Sequence, residues 1–261
     1  MEKQILFRYH HDHQEEFEAL KKSGLNVIQN RSLCKNSLVL GRYSVLPYYK
    51  ELEEDLLNNG CKLINSYEQH SYIANFDYYY DVMEYTFPTW TDLSKAPDGP
   101  FIVKGRTNSR KHRWNSECFA ANKRAAAEIA HNLKDDQLIG PQGILYRLYV
   151  PLRKLSEGLH GLPFSEEYRF FFLRNQCVGQ GFYWSQIDNP PLDIPHEYID
   201  FSQDIADIIS EKVNFFVLDI ARKENGELIL VEINDGQIGG LSLIDPNLFY
   251  ANLQLLLKFL F

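Results

Sequence analysis

Residues 215–242, FFVLDIARKENGELILVEINDGQIGGLS, constrain this chain more than any other stretch. An apolar run from Phe215 to Ala221, a turn at Glu224-Asn225-Gly226 and a second apolar run from Leu228 to Ile233 form the pattern of a β-hairpin. Each strand carries an acid where an apolar residue is expected, Asp219 in the first and Glu232 in the second. On adjacent antiparallel strands the two face each other near the strand ends, and Asn234, two residues beyond Glu232, points to the same face. Two carboxylates and a carboxamide are hard oxygen donors suited to Mg²⁺, an ion that keeps several waters and is usually bound together with substrate phosphates. An isolated acid at a strand end is more often simply solvated. The Glu-x-Asn spacing and the glycine-rich loop behind it favour the ligand reading.

A length of 261 residues suffices for one large domain or two to three small ones with an ample core. The formal net charge of −8 argues against general attraction to nucleic acid, although it leaves room for a local basic cleft. No apolar run approaches the roughly 20 residues that a membrane helix needs, and the opening MEKQILFRYHHDHQ lacks a signal-peptide core, so a cytoplasmic location without membrane contact is expected. Cys34, Cys61, Cys118 and Cys177 are scattered without CxxC spacing and read as buried thiols, not as a zinc site or a disulfide framework.

Up to about residue 92 short apolar strands alternate with helical stretches: Gln4 to Tyr9, an amphipathic segment Gln14 to Lys22, strands at Leu25 to Gln29 and Ser37 to Arg42, a helix Pro47 to Asn58 and a strand Lys62 to Asn65. Such alternation favours a mainly parallel sheet. His10-His11-Asp12-His13 offers imidazole and carboxylate groups, but adjacent positions do not easily converge on one ion, and contact with a substrate is the other reading. A helix is expected over Asn75 to Tyr85, and the linker-like Lys95 to Pro100 precedes a strong strand, Phe101 to Lys104.

Lys104 leads into Gly105 to Arg113, a basic loop whose Ser, Thr, Asn and Gly donors suit phosphate oxygens while Lys gives a point charge and Arg a planar fork. The alternative is a solvated loop, because the spacing is neither that of a P-loop nor of a dinucleotide-binding turn. A helix over Asn122 to Leu133 and a strand over Ile144 to Val150 follow, and the connector Tyr149-Val150-Pro151 has free backbone groups that could read an adenine edge or simply end a strand. Glu166 to Leu173 and Cys177 to Trp184 form a second hairpin whose alternation puts Glu167, Arg169 and Phe171 on one face. An Arg in an aromatic strand must be paired or must serve an anionic ligand. Ser202 to Lys212 reads as a helix burying Ile205, Ile208 and Ile209.

The order Lys104, basic loop, Tyr149-Val150 connector, Arg169, Asp219 and Glu232-x-Asn234 resembles the ATP-grasp superfamily over about residues 100 to 245. It is most similar to a phage and bacterial subgroup that pairs EEYRFF-like and VEINDGQ-like segments and is regarded as carboxylate-amine or peptide ligases. The resemblance implies an α/β (α+β) fold with two α+β lobes clasping ATP, residues 98–149 and 150–261, after a small N-terminal α/β domain, residues 1–97. It implies that Lys104 contacts the α-phosphate and adenine region, that Ser109 and Lys111 cover the phosphates, and that Tyr149 and Val150 bond adenine. Asp219, Glu232 and Asn234 would hold Mg²⁺, Arg169 and Lys111 would be catalytic, and Arg169, Gly236, Gln237, Gly239 and Gly240 would meet the substrate.

The activity so implied is ATP- and Mg²⁺-dependent joining of a small-molecule, amino-acid or peptide carboxylate to an amine through an acyl phosphate, with release of ADP and phosphate. Two other classes compete with it: a nucleotide- or partner-binding domain without turnover, and a nucleic-acid ligase or binding protein. Retention of all three oxygen donors weighs against the first, and net acidity against the second.

Overall fold

The alternation at the N-terminal end resolves into a parallel sheet. The computed structural model describes residues 1–260. Strands β1 (Glu2–Phe7), β2 (Asn26–Ile28), β3 (Ser37–Arg42) and β4 (Lys62–Leu63) lie in the order β2-β1-β3-β4, all parallel, joined by helices α1 (Gln14–Lys22) and α2 (Tyr49–Asn58). Tyr49, Leu52 and Leu56 recur at helical spacing and bury one face of α2.

The expected helix over 75–85 lies elsewhere. A capping box, Ser66 with Gln69, starts α3 at Tyr67, and the helix ends at Ala74 because Phe76 takes a left-handed backbone (φ 67°). Only a 3₁₀ turn, Asp77–Tyr80, follows.

The middle of the chain forms an antiparallel sheet in the order β5-β8-β6-β7, from β5 (Thr89–Trp90), β6 (Phe101–Gly105), β7 (Phe119–Ala120) and β8 (Ile144–Leu148). Helix α4 (Lys123–Lys134), capped by Asn122, covers one face with Ala126, Ile129, Ala130 and Leu133 against Phe101, Val103 and Ile139.

After a short hairpin, β9 (Lys154–Glu157) and β10 (Pro163–Ser165), comes the third sheet, order β12-β11-β13-β14. Its strands are β11 (Glu167–Leu173), β12 (Gln176–Phe182), β13 (Phe215–Arg222) and β14 (Leu228–Asp235), all antiparallel to their neighbours. One face carries Phe170, Phe172, Phe216 and Leu218 beneath α5 (His196–Ile209) and beneath Ile73, Phe76, Tyr78 and Val82. The other carries Phe171, Leu173, Phe215 and Val217 against α6 (Pro246–Leu260) and against Ile5, Phe7 and Leu40 of the first sheet. Every residue of β11 is therefore buried, and the strand is apolar without alternation from Phe170 to Leu173. Helix α5 starts after Pro195, nearly two turns before the position expected from Ser202, and ends at Ile209.

All four cysteines are free; Cys34, Cys61 and Cys118 are buried as expected, whereas Cys177 lies exposed on the edge strand β12. No helix among the described residues is long and apolar enough to cross a membrane.

Candidate functional site

Strand register assembles the site. Arg169 on β11 lies opposite Asp219 on β13, and Asp219 lies opposite Glu232 on β14. Ile220 then pairs with Leu230, so Val231 is an extra residue, a β-bulge that re-aims the strand beside the acids. The bulge carbonyl accepts a hydrogen bond from Arg147 Nη1 of β8 at 2.7 Å, which links the middle and third sheets. Arg169 donates from Nε and Nη2 to the two oxygens of Asp219 at 2.7 and 2.8 Å, and from Nη1 to Gly240 O at 2.7 Å. Lys104 on β6 pairs with Glu232 Oε1 across the gap between the sheets.

These groups are poorly solvated, and their charges depend on one another. Burial raises the Glu232 carboxyl, yet Lys104, with Arg147 and Lys111, brings it down to about 2, so it stays ionised. Burial lowers the Lys104 pKa and Arg147 adds to that, while Glu232 opposes both; the ammonium rests on the carboxylate beside it. Burial and then the Asp219 charge push Glu167 up to about 7, against Lys111, Ser165 and Arg169. Lys111 is itself raised: burial pulls it down, but Tyr183, to which it is hydrogen-bonded, and Glu167 more than offset that.

Two cavities meet at this row. One, with about 1060 Å³ of empty space including its open mouth, lies between the middle and third sheets. Lys104, Ser109, Lys111, Tyr149, Val150, Asp219 and Glu232 all line it, so seven residues singled out from sequence converge on one cleft. The Tyr149 N–H already donates to Pro100 O at 2.9 Å. That leaves the Tyr149 carbonyl and the Val150 N–H as the connector groups able to meet a ligand. The second cavity is lined by Arg169, Asn234, Gly239, Gly240 and His70, and Glu232 borders both.

Gly236 and Gln237 line neither cavity. A Cβ at Gly236 would come within 2.6 Å of the Phe215 ring, and its carbonyl accepts from Arg42 Nη1 at 2.6 Å. Gln237 accepts from the Gly41 N–H at 3.0 Å and donates to Tyr49 OH. Both therefore fasten the third sheet to the N-terminal unit, and their expected contact with substrate finds no support in this placement.

In the basic loop Arg110 Nε donates to Asp136 at 2.7 Å and Arg113 pairs with Glu117, and Lys111 is the loop cation that lines the cleft. The ligand atoms of His10, His11 and Asp12 do come within 4.8 Å of one another, contrary to the expectation from adjacency, but all three residues are exposed and lie outside both cavities.

Arg147, Tyr183 and Trp184 line the cleft and were not singled out from sequence; Glu167 was noted only for its strand face. Arg147 interrupts the apolar strand ILYRL as Arg169 interrupts EYRFFFL, so the test that selected one Arg would have selected the other. Asp219, Glu232 and the Asn234 carboxamide together suit a hard divalent cation. Arg169 takes one hydrogen bond to each Asp219 oxygen, and a carboxylate has about four lone-pair sites, so coordination capacity remains there.

No curated protein matches the chain in sequence. Solved structures do match its fold across nearly the whole length. The RimK domain ATP-grasp protein from Sphaerobacter thermophilus is 12% identical with a TM-score of 0.60, over 97% of this chain and 98% of that one. The D-alanine–D-alanine ligase from Bacillus anthracis, solved with ATP, is 9% identical with a TM-score of 0.59, over 98% and 95%. The macrocyclase MdnC from Microcystis aeruginosa, bound with the precursor peptide MdnA, is 11% identical with a TM-score of 0.55, over 98% and 99%. Residues 92–253, which hold the middle sheet apart from β5, the third sheet and the whole oxygen-donor row, match the family described as ATP-grasp domain, R-2-K clade family 3. The chain thus belongs to the ATP-grasp superfamily, in family 3 of the R-2-K clade.

Proposed function

We propose that this protein is an ATP- and Mg²⁺-dependent ligase that joins a carboxylate to an amine through an acyl phosphate, releasing ADP and phosphate. The observation that carries the reading is the row Arg169, Asp219, Glu232, set where the cleft between the sheets and a second cavity share Glu232 as a common wall. Phosphoryl transfer asks for positioning and charge neutralisation more than for covalent help from the protein.

The residues fit both groups. Lys104, Lys111 and Arg147 all line the cleft, and this concentration of cationic donors suits phosphate oxygens. The Tyr149 carbonyl and Val150 N–H would hold adenine, and Lys104 and Lys111, with Ser109, the phosphates. Asp219, Glu232 and Asn234 would hold Mg²⁺, which when bound neutralises phosphate charge and keeps the transferring group in line. Arg169, with Gly239 and Gly240 at the second cavity, would face the carboxylate as it takes the phosphoryl group. The molecules bound in the solved relatives, ATP in the D-alanine–D-alanine ligase and a precursor peptide in MdnC, support an ATP-dependent reaction on an amino-acid or peptide substrate.

The test is thermal stability and nucleotide analysis. Mg-ATP at about a hundred times its dissociation constant should stabilise the wild type by about 2.7 kcal/mol, and Asp219→Asn or Glu232→Gln should lose most of that. Pools of amino acids and short peptides should elicit ADP and ligated masses. AMP as the product would point to adenylation, and absence of any turnover with every pool would refute the ligase.

A further inference from the structure

We propose that His70 is the catalytic base of the second half-reaction, taking the proton from the amine that attacks the acyl phosphate; this rests on the ligase reading above. His70 lies on the first turn of α3, whose start the Ser66–Gln69 capping box fixes. Its ring is buried, with Nδ1 3.0 Å from Asp235 Oδ2. Asp235 cannot turn away, because its Oδ1 accepts from Asn65 Nδ2 and from the Gln237 N–H, each at 2.9 Å. The Tyr49 ring stacks on His70 at 4.0 Å and 9°, and its hydroxyl donates to Asn65 O at 3.1 Å. A carboxylate held this way accepts from Nδ1–H, so that in the neutral ring the lone pair lies on Nε2.

Nε2 has no hydrogen-bond partner among the described residues, and it is not among the enclosed unpartnered atoms, which are Arg147 Nε and Trp184 Nε1. It therefore opens on the cavity that His70 lines together with Arg169, Asn234, Gly239 and Gly240. A histidine serving packing alone gains nothing from an oriented lone pair facing a cavity shared with phosphoryl-transfer residues. In the step itself the amine nitrogen attacks the acyl carbon and forms C–N, and the C–O bond to phosphate breaks with its electron pair leaving on phosphate. The nitrogen's proton passes to Nε2 and on to the departing phosphate.

The experiment uses the full chain with Mg-ATP and a pool of amino acids and short peptides, with and without hydroxylamine, which attacks acyl phosphates unaided and yields hydroxamates. Wild type is expected to form hydroxamates and amides. His70→Ala is expected to form hydroxamates at close to the wild-type rate while amide formation falls about 10²- to 10⁴-fold, with partial rescue by added imidazole. His70→Gln, which keeps most of the volume, should show the same split with an unchanged Mg-ATP thermal shift. An unchanged amide rate, or an equal fall in both products, overturns the role; the second result would mark His70 as a packing residue. Wild type that yields neither product nor ADP refutes the ligase reading itself, and the base falls with it.

Discussion

Glu167 shows how burial sets chemistry at single residues. It is 4% exposed, accepts from Ser165 Oγ at 3.1 Å, and burial with the Asp219 charge lifts its carboxyl from 4.5 to about 7. The folded value lies above the unfolded one, so the folded chain holds this proton more tightly. The stability Glu167 contributes is thus complete below the unfolded value of 4.5 and is lost as pH rises through about 7. Glu167→Gln keeps the shape and the Ser165 bond but removes the charge. The variant should melt roughly 4 °C or more above wild type at pH 8 and at about the same temperature near pH 4.5, as read by circular dichroism. A gain that does not change with pH would refute the assignment.

Elements are held by side chains that do the work of backbone. Asn65, just beyond β4, donates from Nδ2 to Phe215 O at 2.6 Å and to Asp235 Oδ1 at 2.9 Å, and accepts the Phe215 N–H at 2.9 Å. It is fully buried, so one amide ties the first sheet to the start of β13 and the end of β14. Asn65→Ala should destabilise by about 3 kcal/mol, since it leaves buried polar groups unpaired, and chemical denaturation measures it. Asn65→Asp should be no better, because a carboxylate cannot donate to Phe215 O or to Asp235. A loss below about 0.5 kcal/mol for Asn65→Ala would mean that the staple carries little energy. Gly181 acts by close approach: a Cβ there would meet Ile244 N at 2.9 Å, so the turn before α6 can lie on β12 only over a residue without a side chain.

The whole molecule has cores that cross sequence divisions. Ile73, Phe76, Tyr78 and Val82 complete one face of the third sheet, and Ile5, Phe7 and Leu40 complete the other. Each large side chain so buried contributes on the order of 2–3 kcal/mol. Residues 92–253, although they match the family's domain, lack both sets and part of α6. Expressed alone, this segment should show no cooperative melting and dispersed chemical shifts should be absent, whereas residues 1–261 should melt cooperatively. A fragment with a sharp transition would show that the N-terminal unit is dispensable for folding.

The hairpin acids, the Glu-x-Asn pair, Lys104 and Arg169 were legible in the sequence because a charge inside an apolar strand has few explanations, and strand alternation fixes which side chains share a face. Gln237 and Gly236 were not, since a loop residue's partners depend on what packs over it, here Gly41, Tyr49 and Arg42 from nearly two hundred residues away. Lys111 was singled out from sequence, but only tertiary structure shows that Asp136 takes its neighbour Arg110 while Lys111 lines the cleft. Tertiary structure alone set His70 against Asp235. Local pattern determines which face a side chain takes; only the packing of one sheet on another determines what it meets there.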